Sequence, residues 1–508
     1  MPSRPTKFLV LPGLAGILIF CCFPLVNQGY LAWVAFSPLI WFVARAASKK
    51  QAFLGGLVAG AVAWFGLLVW IPRVLMHYGD VPPVLAWILF FLMVCYLSCF
   101  PALSCLLTRF CMERGGEKYL LAFPLAWVTL EYVRANVLFG GFPWLLAGYS
   151  QTPYAPLMQL ADVTGVYGVS FLLLWINTVL AWLIRCRFKP SEVWPIAAGI
   201  LLIVASIAYG QVMLVRWGQT RPSFSAALLQ GNLSVDEPEG VLARKFQEGY
   251  VQMASQLAPG SVDLLILPES PSPLAYQFDT SYREGLQKLA RQFPLGMIFN
   301  NIGYSQVSAE SRYFNSAYFL SQDGKDLKRY DKIHLVPFGE YVPLKKWFFF
   351  VDTISKDVSG FSPGQEYLTV ELRGRRVNAI ICFEAVFPDL ERQFVRLGSE
   401  LIVNLTNDGW YGNSAAPYQH LAMSRWRAVE NRRYLLRATN SGISAIVEPT
   451  GAIQRSTPLL QQDICDGRFA FLKAQTFYTR YGDVFAILCA IIMLALLVCE
   501  YQLGKRKG

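Results

Sequence analysis

Apolar residues are distributed unevenly along the chain. Before about residue 215 and after about residue 483 they form long blocks almost free of charge. Each block is near the roughly 20 residues that a helix needs to cross a bilayer. The blocks lie at about 8–24, 30–46, 53–72, 84–108, 119–139, 166–185, 193–213 and 484–501. They predict eight transmembrane helices: seven in a membrane domain over 1–215, and an eighth over 484–501. The first block has no small-x-small cleavage pattern and more blocks follow it, so it is expected to be retained rather than removed as a signal peptide.

From about 222 to 474 the pattern changes. Short apolar, β-branched runs alternate with stretches of helical period. Strands are predicted at 224–232, 262–267, 295–301, 400–405, 443–448 and 452–456. Two hairpins are predicted, one turning at Asp323-Gly324 and one near Arg373-Gly374. The second leads into the buried-strand run Val377-Asn378-Ala379-Ile380-Ile381. Helices are predicted at 240–258, 281–293, 388–397 and 416–436. Helices alternating with strands predict an α/β sandwich with helices covering the sheets.

Composition supports this division. The 508 residues are 54% hydrophobic and 16% charged, against about 25% charged in an average soluble domain. A net charge of +11 raises the question of nucleic acid. The basic residues, however, flank the apolar blocks, and no aromatic-basic RNA-binding motif stands out, so no nucleic-acid partner is expected. One set of loops carries Arg4, Lys7, Arg45, Lys49, Lys50, Arg109, Arg114, Lys118, Arg185, Arg187, Lys189, Lys505, Arg506 and Lys507. The alternate loops among the first seven blocks carry only Arg73 and Arg134. The positive-inside rule then places both termini in the cytoplasm and the middle domain on the opposite face. Of 11 cysteines, only Cys382 and Cys465 fall in the middle domain. The spacings match no zinc or disulfide framework, and neither a metal nor a cofactor is expected. A Cys382–Cys465 disulfide would require an oxidising compartment.

Candidate chemistry lies where strand-like runs end. Cys382 follows one such run, and Glu384 stands two residues on. Leu264-Leu265-Ile266-Leu267-Pro268 delivers Glu269, and the stretch after the Asp323-Gly324 hairpin delivers Lys332. A cysteine attacks as its thiolate and needs a proton acceptor. Glu269, half-buried behind an apolar run, suits a general base, because burial raises a carboxyl pKa towards neutrality. Lys332 can lower the thiol pKa and donate to a developing oxyanion. The bland alternatives are a small core cysteine, a surface turn carboxylate and a solvated loop lysine. His334 and His420, the two histidines of the middle domain, leave a Cys–His enzyme open.

The motifs carry a resemblance. Leu267-Pro268-Glu269-Ser270, the Tyr330 to Pro343 stretch around Lys332 and Glu340, and Ile381-Cys382-Phe383-Glu384 resemble the Glu-Lys-Cys triad of the nitrilase (carbon-nitrogen hydrolase) superfamily. Three further stretches resemble its apolipoprotein N-acyltransferase branch: Gly141-Phe142-Pro143-Trp144 with Gly148-Tyr149-Ser150-Gln151, Thr406-Asn407-Asp408-Gly409-Trp410-Tyr411-Gly412, and Ala438 to Ser444. Essentially the whole chain is covered. The resemblance implies an αββα nitrilase-like catalytic domain over 222–474, on the periplasmic side of a bacterial inner membrane. It implies transfer of a phospholipid acyl chain, typically the sn-1 chain of phosphatidylethanolamine, to a thioester on the cysteine. The chain then passes to the α-amine of a diacylglyceryl-cysteine at an apolipoprotein N-terminus. Glu269 would be the base, Lys332 the oxyanion stabiliser and Cys382 the nucleophile, with Glu340 and Glu384 as supporting carboxylates.

Two departures stand out. Many members have Tyr after the nucleophile, where this chain has Phe383, and many have Trp in the loop that here reads Leu233 to Glu239. Trp347 and Phe348, in the run Trp347-Phe348-Phe349-Phe350, either supply apolar substrate contact instead or form an interfacial anchor. The 141–151 segment, with Trp144 and Tyr149, reads either as an interfacial aromatic belt or as the floor of a lipid gateway. Trp410 and Tyr411 are candidate gating residues, with Gly409 and Gly412 as hinges. The alternative functions are a membrane-tethered amidohydrolase with the same triad and an inactive lipid- or lipoprotein-binding scaffold.

Overall fold

A computed structural model describes residues 9–137, 140–186, 193–234, 238–307, 310–337, 339–341 and 360–507. The chain forms two units. One comprises residues 1–72, 82–214 and 481–508, and the other residues 73–81 and 215–480.

The first unit is helical. Among the described residues, five helices are long and apolar enough to cross a membrane: Lys49–Leu68, Pro83–Gly115, Val166–Ile184, Trp194–Gly218 and Val484–Gln502. The blocks expected at 8–24 and 119–139 form shorter helices, Val10–Cys21 and Phe123–Asn136. The block at 30–46 is a 3-10 turn, Gly29–Trp33, followed by helix Ser37–Arg45. Arg134 corrects the loop-charge count, because it is a buried helical residue and not a loop charge. Its guanidinium donates to the carbonyls of Phe142 and Trp144 and lies over the Trp64 ring. Glu131, one turn earlier, accepts from the Ala147 N–H and from Trp127 Nε1. Together these charges fold the 142–147 stretch inward, so that Trp144 and Tyr149 are buried within this unit instead of forming an exposed aromatic belt.

The second unit is built on two six-stranded sheets. The strands are β1 (Phe224–Gln230), β2 (Leu264–Ile266), β3 (Gly296–Val307), β4 (Glu310–Leu320), β5 (Asp326–Asp331), β6 (Val370–Leu372), β7 (Arg375–Ile381), β8 (Leu401–Thr406), β9 (Leu435–Thr439), β10 (Ala445–Val447), β11 (Ile453–Ser456) and β12 (Asp463–Phe469). The sheet orders are β12-β1-β2-β3-β4-β5 and β11-β10-β9-β8-β7-β6. Each has three parallel strands, β1–β2–β3 in one and β7–β8–β9 in the other, flanked by antiparallel ones. Where they pair in parallel, β2, β8 and β9 are buried throughout, and β3 is buried over residues 296–301, as apolar two-faced strands must be.

Polar groups at the strand ends join the sheets. Gln230 Oε1 accepts from the hydroxyls of Thr439, Ser444 and Thr457 at 2.7–2.8 Å. Helices Glu239–Phe246 and Thr280–Ala290 cover the outer face of the first sheet, where Phe246, Tyr282 and Leu286 meet Leu229, Leu265 and Phe299. Helices Pro388–Arg396 and Ala416–Asn431 belong with the second sheet, and Asn378 of β7 donates to Glu391 at 3.2 Å.

The predicted helix over 416–436 is too long. It ends at Asn431, Arg432 takes a left-handed conformation at φ 52°, and Leu435–Thr439 becomes the central strand β9. A left-handed C-cap is usually glycine, so an arginine there hides the stop. The strand β12, which pairs antiparallel along all of β1, is also not foreseen.

Candidate active site

The site is assembled at the carboxyl ends of β2, β5, β7 and β8, where parallel sheets commonly place chemistry. β2 is followed by Leu267-Pro268-Glu269, β5 by Lys332, β7 by Cys382, and β8 by Asn407-Asp408. Cys382 opens a 3-10 turn, Cys382–Val386, with a left-handed φ of 49°. Such a backbone costs roughly 1–3 kcal/mol for a residue with a side chain.

Glu269, Lys332 and Cys382 come together and are buried. Lys332 Nζ lies 2.9 Å from Glu340 Oε2 and 3.7 Å from Glu269 Oε1. Asn315 Nδ2, from β4, donates to both carboxylates, at 2.8 Å to Glu269 and 2.7 Å to Glu340. The Asn407 N–H donates to Glu269 Oε2 at 3.0 Å. The Cys382 thiol interacts electrostatically with Glu269 and Lys332.

Burial sets the electrostatics. It raises the Glu269 pKa, with Glu340 adding to the rise and Lys332 and the Asn315 bond opposing it. Burial also raises the Cys382 thiol, helped by the Glu269 charge and opposed by Lys332. Burial alone would lower Lys332, but Glu340 and Glu269 more than reverse this and hold it as an ammonium. A proton moved from the thiol to Glu269 would shift a charge within the cluster without adding one.

Glu384 ties the end of β7, before Cys382, to the loop that carries Lys332. Its Oε2 accepts from Ile381 N at 2.7 Å. Its Oε1 accepts from Ile333 N, His334 N and the Tyr330 hydroxyl at 2.7, 3.1 and 2.8 Å. Burial pushes its pKa up to about 7, against the pull of those donors and of Lys332.

Neither His334 nor His420 faces the thiol with a ring nitrogen. The His334 ring stacks on Phe387 at 4.3 Å, and His420 Nε2 meets the Cys382 carbonyl, not its sulfur. This argues against the Cys–His alternative. Phe383 is buried, edge-on to Phe387. Cys382 and Cys465 are both free thiols. Trp410 is exposed and edge-on to Tyr78 at 4.9 Å, while the Tyr78 hydroxyl donates to the Gly409 carbonyl at 3.2 Å. Tyr411 is partly buried, and the charges of Cys382, Asp408 and Glu269, after burial, push its hydroxyl well above its ordinary range. Trp347 and Phe348 lie outside the described residues.

Asn315, Tyr330 and Arg437 also belong to the site's frame. For Arg437 the signal is a charge inside an otherwise apolar strand, Leu435-Leu436-Arg437-Ala438, and for Asn315 a buried amide beside Phe314 and Ala317; Tyr330, in the polar strand Asp326–Asp331, gives no such signal.

Comparison with known proteins gives two matching families. Residues 15–179 match the apolipoprotein N-acyltransferase N-terminal domain, and residues 225–470 match carbon-nitrogen hydrolase. An apolipoprotein N-acyltransferase of Geobacter metallireducens is 40% identical over 96% of this chain and 94% of its own length. One from Methylococcus capsulatus is 34% identical over 96% of this chain and 95% of its own. Among solved structures, a Saccharomyces cerevisiae member of branch 10 of the nitrilase superfamily is 20% identical, with a TM-score of 0.38, covering 49% of this chain and 90% of that one.

Proposed function

Because the chain belongs to the apolipoprotein N-acyltransferase family, we propose that it moves an acyl chain from a phospholipid, through a thioester on Cys382, to the α-amine of an N-terminal diacylglyceryl-cysteine. The observation that carries this reading is the burial of Glu269, Lys332 and Cys382 together in one charged cluster.

In the first half-reaction, Glu269 takes the thiol proton as sulfur attacks the ester carbonyl of the donor. The oxyanion forms beside the Lys332 ammonium, which Glu340 and Asn315 keep oriented. The tetrahedral adduct collapses, the glycerol oxygen leaves with the proton from Glu269, and lysophospholipid departs. In the second, the acceptor amine attacks the thioester and gives a proton to Glu269. Sulfur leaves, an amide remains, and the proton returns to the thiolate. The donor is typically phosphatidylethanolamine and its sn-1 chain. No cofactor takes part.

The test is intact-protein mass analysis after incubation with phospholipid alone. An added acyl mass on Cys382, with one lysophospholipid released per enzyme, supports the reading. Release that waits for the acceptor would point to direct transfer, and a Cys382→Ala protein that still takes up acyl chain would move the nucleophile elsewhere.

The chain is proposed to be a multi-pass protein of a bacterial inner membrane with residues 222–474 on the periplasmic side. Support comes from the loop charges, whose imbalance grows once Arg134 is removed from the sparse set. A reporter fused near residue 300 should be active only if it functions outside the cytoplasm.

A further inference from the structure

We propose that His420, clamped by Asp408 and Arg437, is the positioning residue of the nucleophile elbow: Nε2 donates to the Cys382 carbonyl and so fixes the peptide plane that aims the thiol at Glu269. This rests on the reading of Cys382 as the nucleophile.

His420 is buried on helix Ala416–Asn431, with Nε2 at 3.1 Å from the Cys382 carbonyl oxygen. A carbonyl oxygen only accepts, so Nε2 carries the hydrogen. The other ring nitrogen, Nδ1, is 2.9 Å from Asp408 Oδ1 and 3.1 Å from Arg437 Nη2. Arg437 Nη2 also lies 2.7 Å from Asp408 Oδ2, and Nη1 is bonded to Asn404. Burial first, then the guanidinium, holds the imidazole below its ordinary pKa, against the opposing pull of Asp408. A neutral ring with its hydrogen on Nε2 leaves a lone pair on Nδ1, and Arg437 supplies the donor for it. Asp408 Oδ1 is the nearer neighbour of Nδ1 and only accepts, so the geometry fixes the hydrogen on Nε2, through the Cys382 carbonyl, and leaves Nδ1 between an acceptor and a donor.

The elbow needs such a clamp. A cysteine at φ 49° persists only where its surroundings over-determine the backbone. On its amino side, Glu384 holds the Ile381 N–H. On its carboxyl side, His420 holds the carbonyl. The 382–383 peptide is planar and trans, so fixing its C=O also turns the Phe383 N–H to the opposite side from His420. With Nε2 spent on the carbonyl, His420 has no lone pair for the thiol proton, which separates this role from that of a base.

The test uses the full-length protein in detergent, labelled with 15N-histidine. The sequence has three histidines, His77, His334 and His420, so His420→Gln assigns the third signal. At neutral pH we expect His420 protonated at Nε2, whether the ring is neutral or doubly protonated, and a ring protonated at Nδ1 alone overturns the proposal. In kinetics, His420→Leu removes the donor and should acylate Cys382 from phospholipid about 10²-fold more slowly at unchanged KM. His420→Gln, which can place an N–H near the position of Nε2, should recover most of that loss. A folded His420→Leu enzyme with wild-type acylation overturns the proposal, and so does a Gln variant as slow as the Leu variant. If His420→Leu does not fold, the tautomer decides alone. If the wild type is never acylated, the nucleophile reading fails while the tautomer measurement still stands.

Discussion

Lys332 Nζ lies 2.9 Å from Glu340 Oε2 but 3.7 Å from Glu269 Oε1. The ammonium is thus paired to the carboxylate that does no chemistry and is only close to the one proposed to move the proton. That leaves Glu269 basic. Glu340→Gln removes this arrangement, because Lys332 then has only Glu269 to pair with. The Glu340 charge raises the Glu269 pKa, so its loss lowers it. A base works only when deprotonated, so the acidic limb of acylation should move to lower pH. The maximal rate should fall at least about tenfold, because a weaker base now takes the thiol proton. Single-turnover acylation measured across pH checks both. An unmoved limb at full rate would separate Glu340 from the chemistry.

Glu384 meets four donors: Ile381 N, Ile333 N, His334 N and the Tyr330 hydroxyl. A glutamine there turns one acceptor into a donor that faces backbone N–H groups. Glu384→Gln should cost on the order of 3 kcal/mol, as leaving buried polar groups without partners does. It should also slow acylation, because the lysine loop and the nucleophile strand are no longer joined. Denaturant unfolding and acylation of the same preparation provide the check. A variant of wild-type stability would remove the carboxylate's structural role.

Much of the catalytic unit is legible in the residue pattern because its strands are short, apolar and bounded by turns. The Asp323-Gly324 and Arg373-Gly374 turns both join antiparallel neighbours, β4 to β5 and β6 to β7. The carboxyl ends of the buried runs before Glu269 and Cys382 also converge. What the pattern hides has physical causes. β9 follows its helix with no glycine or proline between them, and the stop is a left-handed Arg432. β12 has an alternating, half-exposed pattern with aspartates and a glycine, which reads as loop. Arg134 resembles any loop cation until its partners, the carbonyls of Phe142 and Trp144, are in view. Residues 73–81 lie between apolar blocks, yet they belong to the sheet unit through Tyr78, Gly409 and Trp410. Periodicity does not record such distant contacts.

The central claim is that the thioester on Cys382 is made for an amine and not for water. Water is present at roughly 55 M, so a transferase must keep its acyl-enzyme from solvent. The direct measurement is a chase. Enzyme loaded with a labelled acyl chain is freed of donor and divided between buffer and a diacylated lipopeptide with a free α-amine. The account predicts a Cys382 adduct that lasts for minutes or longer in buffer. With the acceptor it should disappear much faster, the label passing to the lipopeptide as an amide. A loaded enzyme that releases fatty acid as fast in buffer as it acylates the lipopeptide would contradict the account and leave an amidohydrolase-like enzyme in its place.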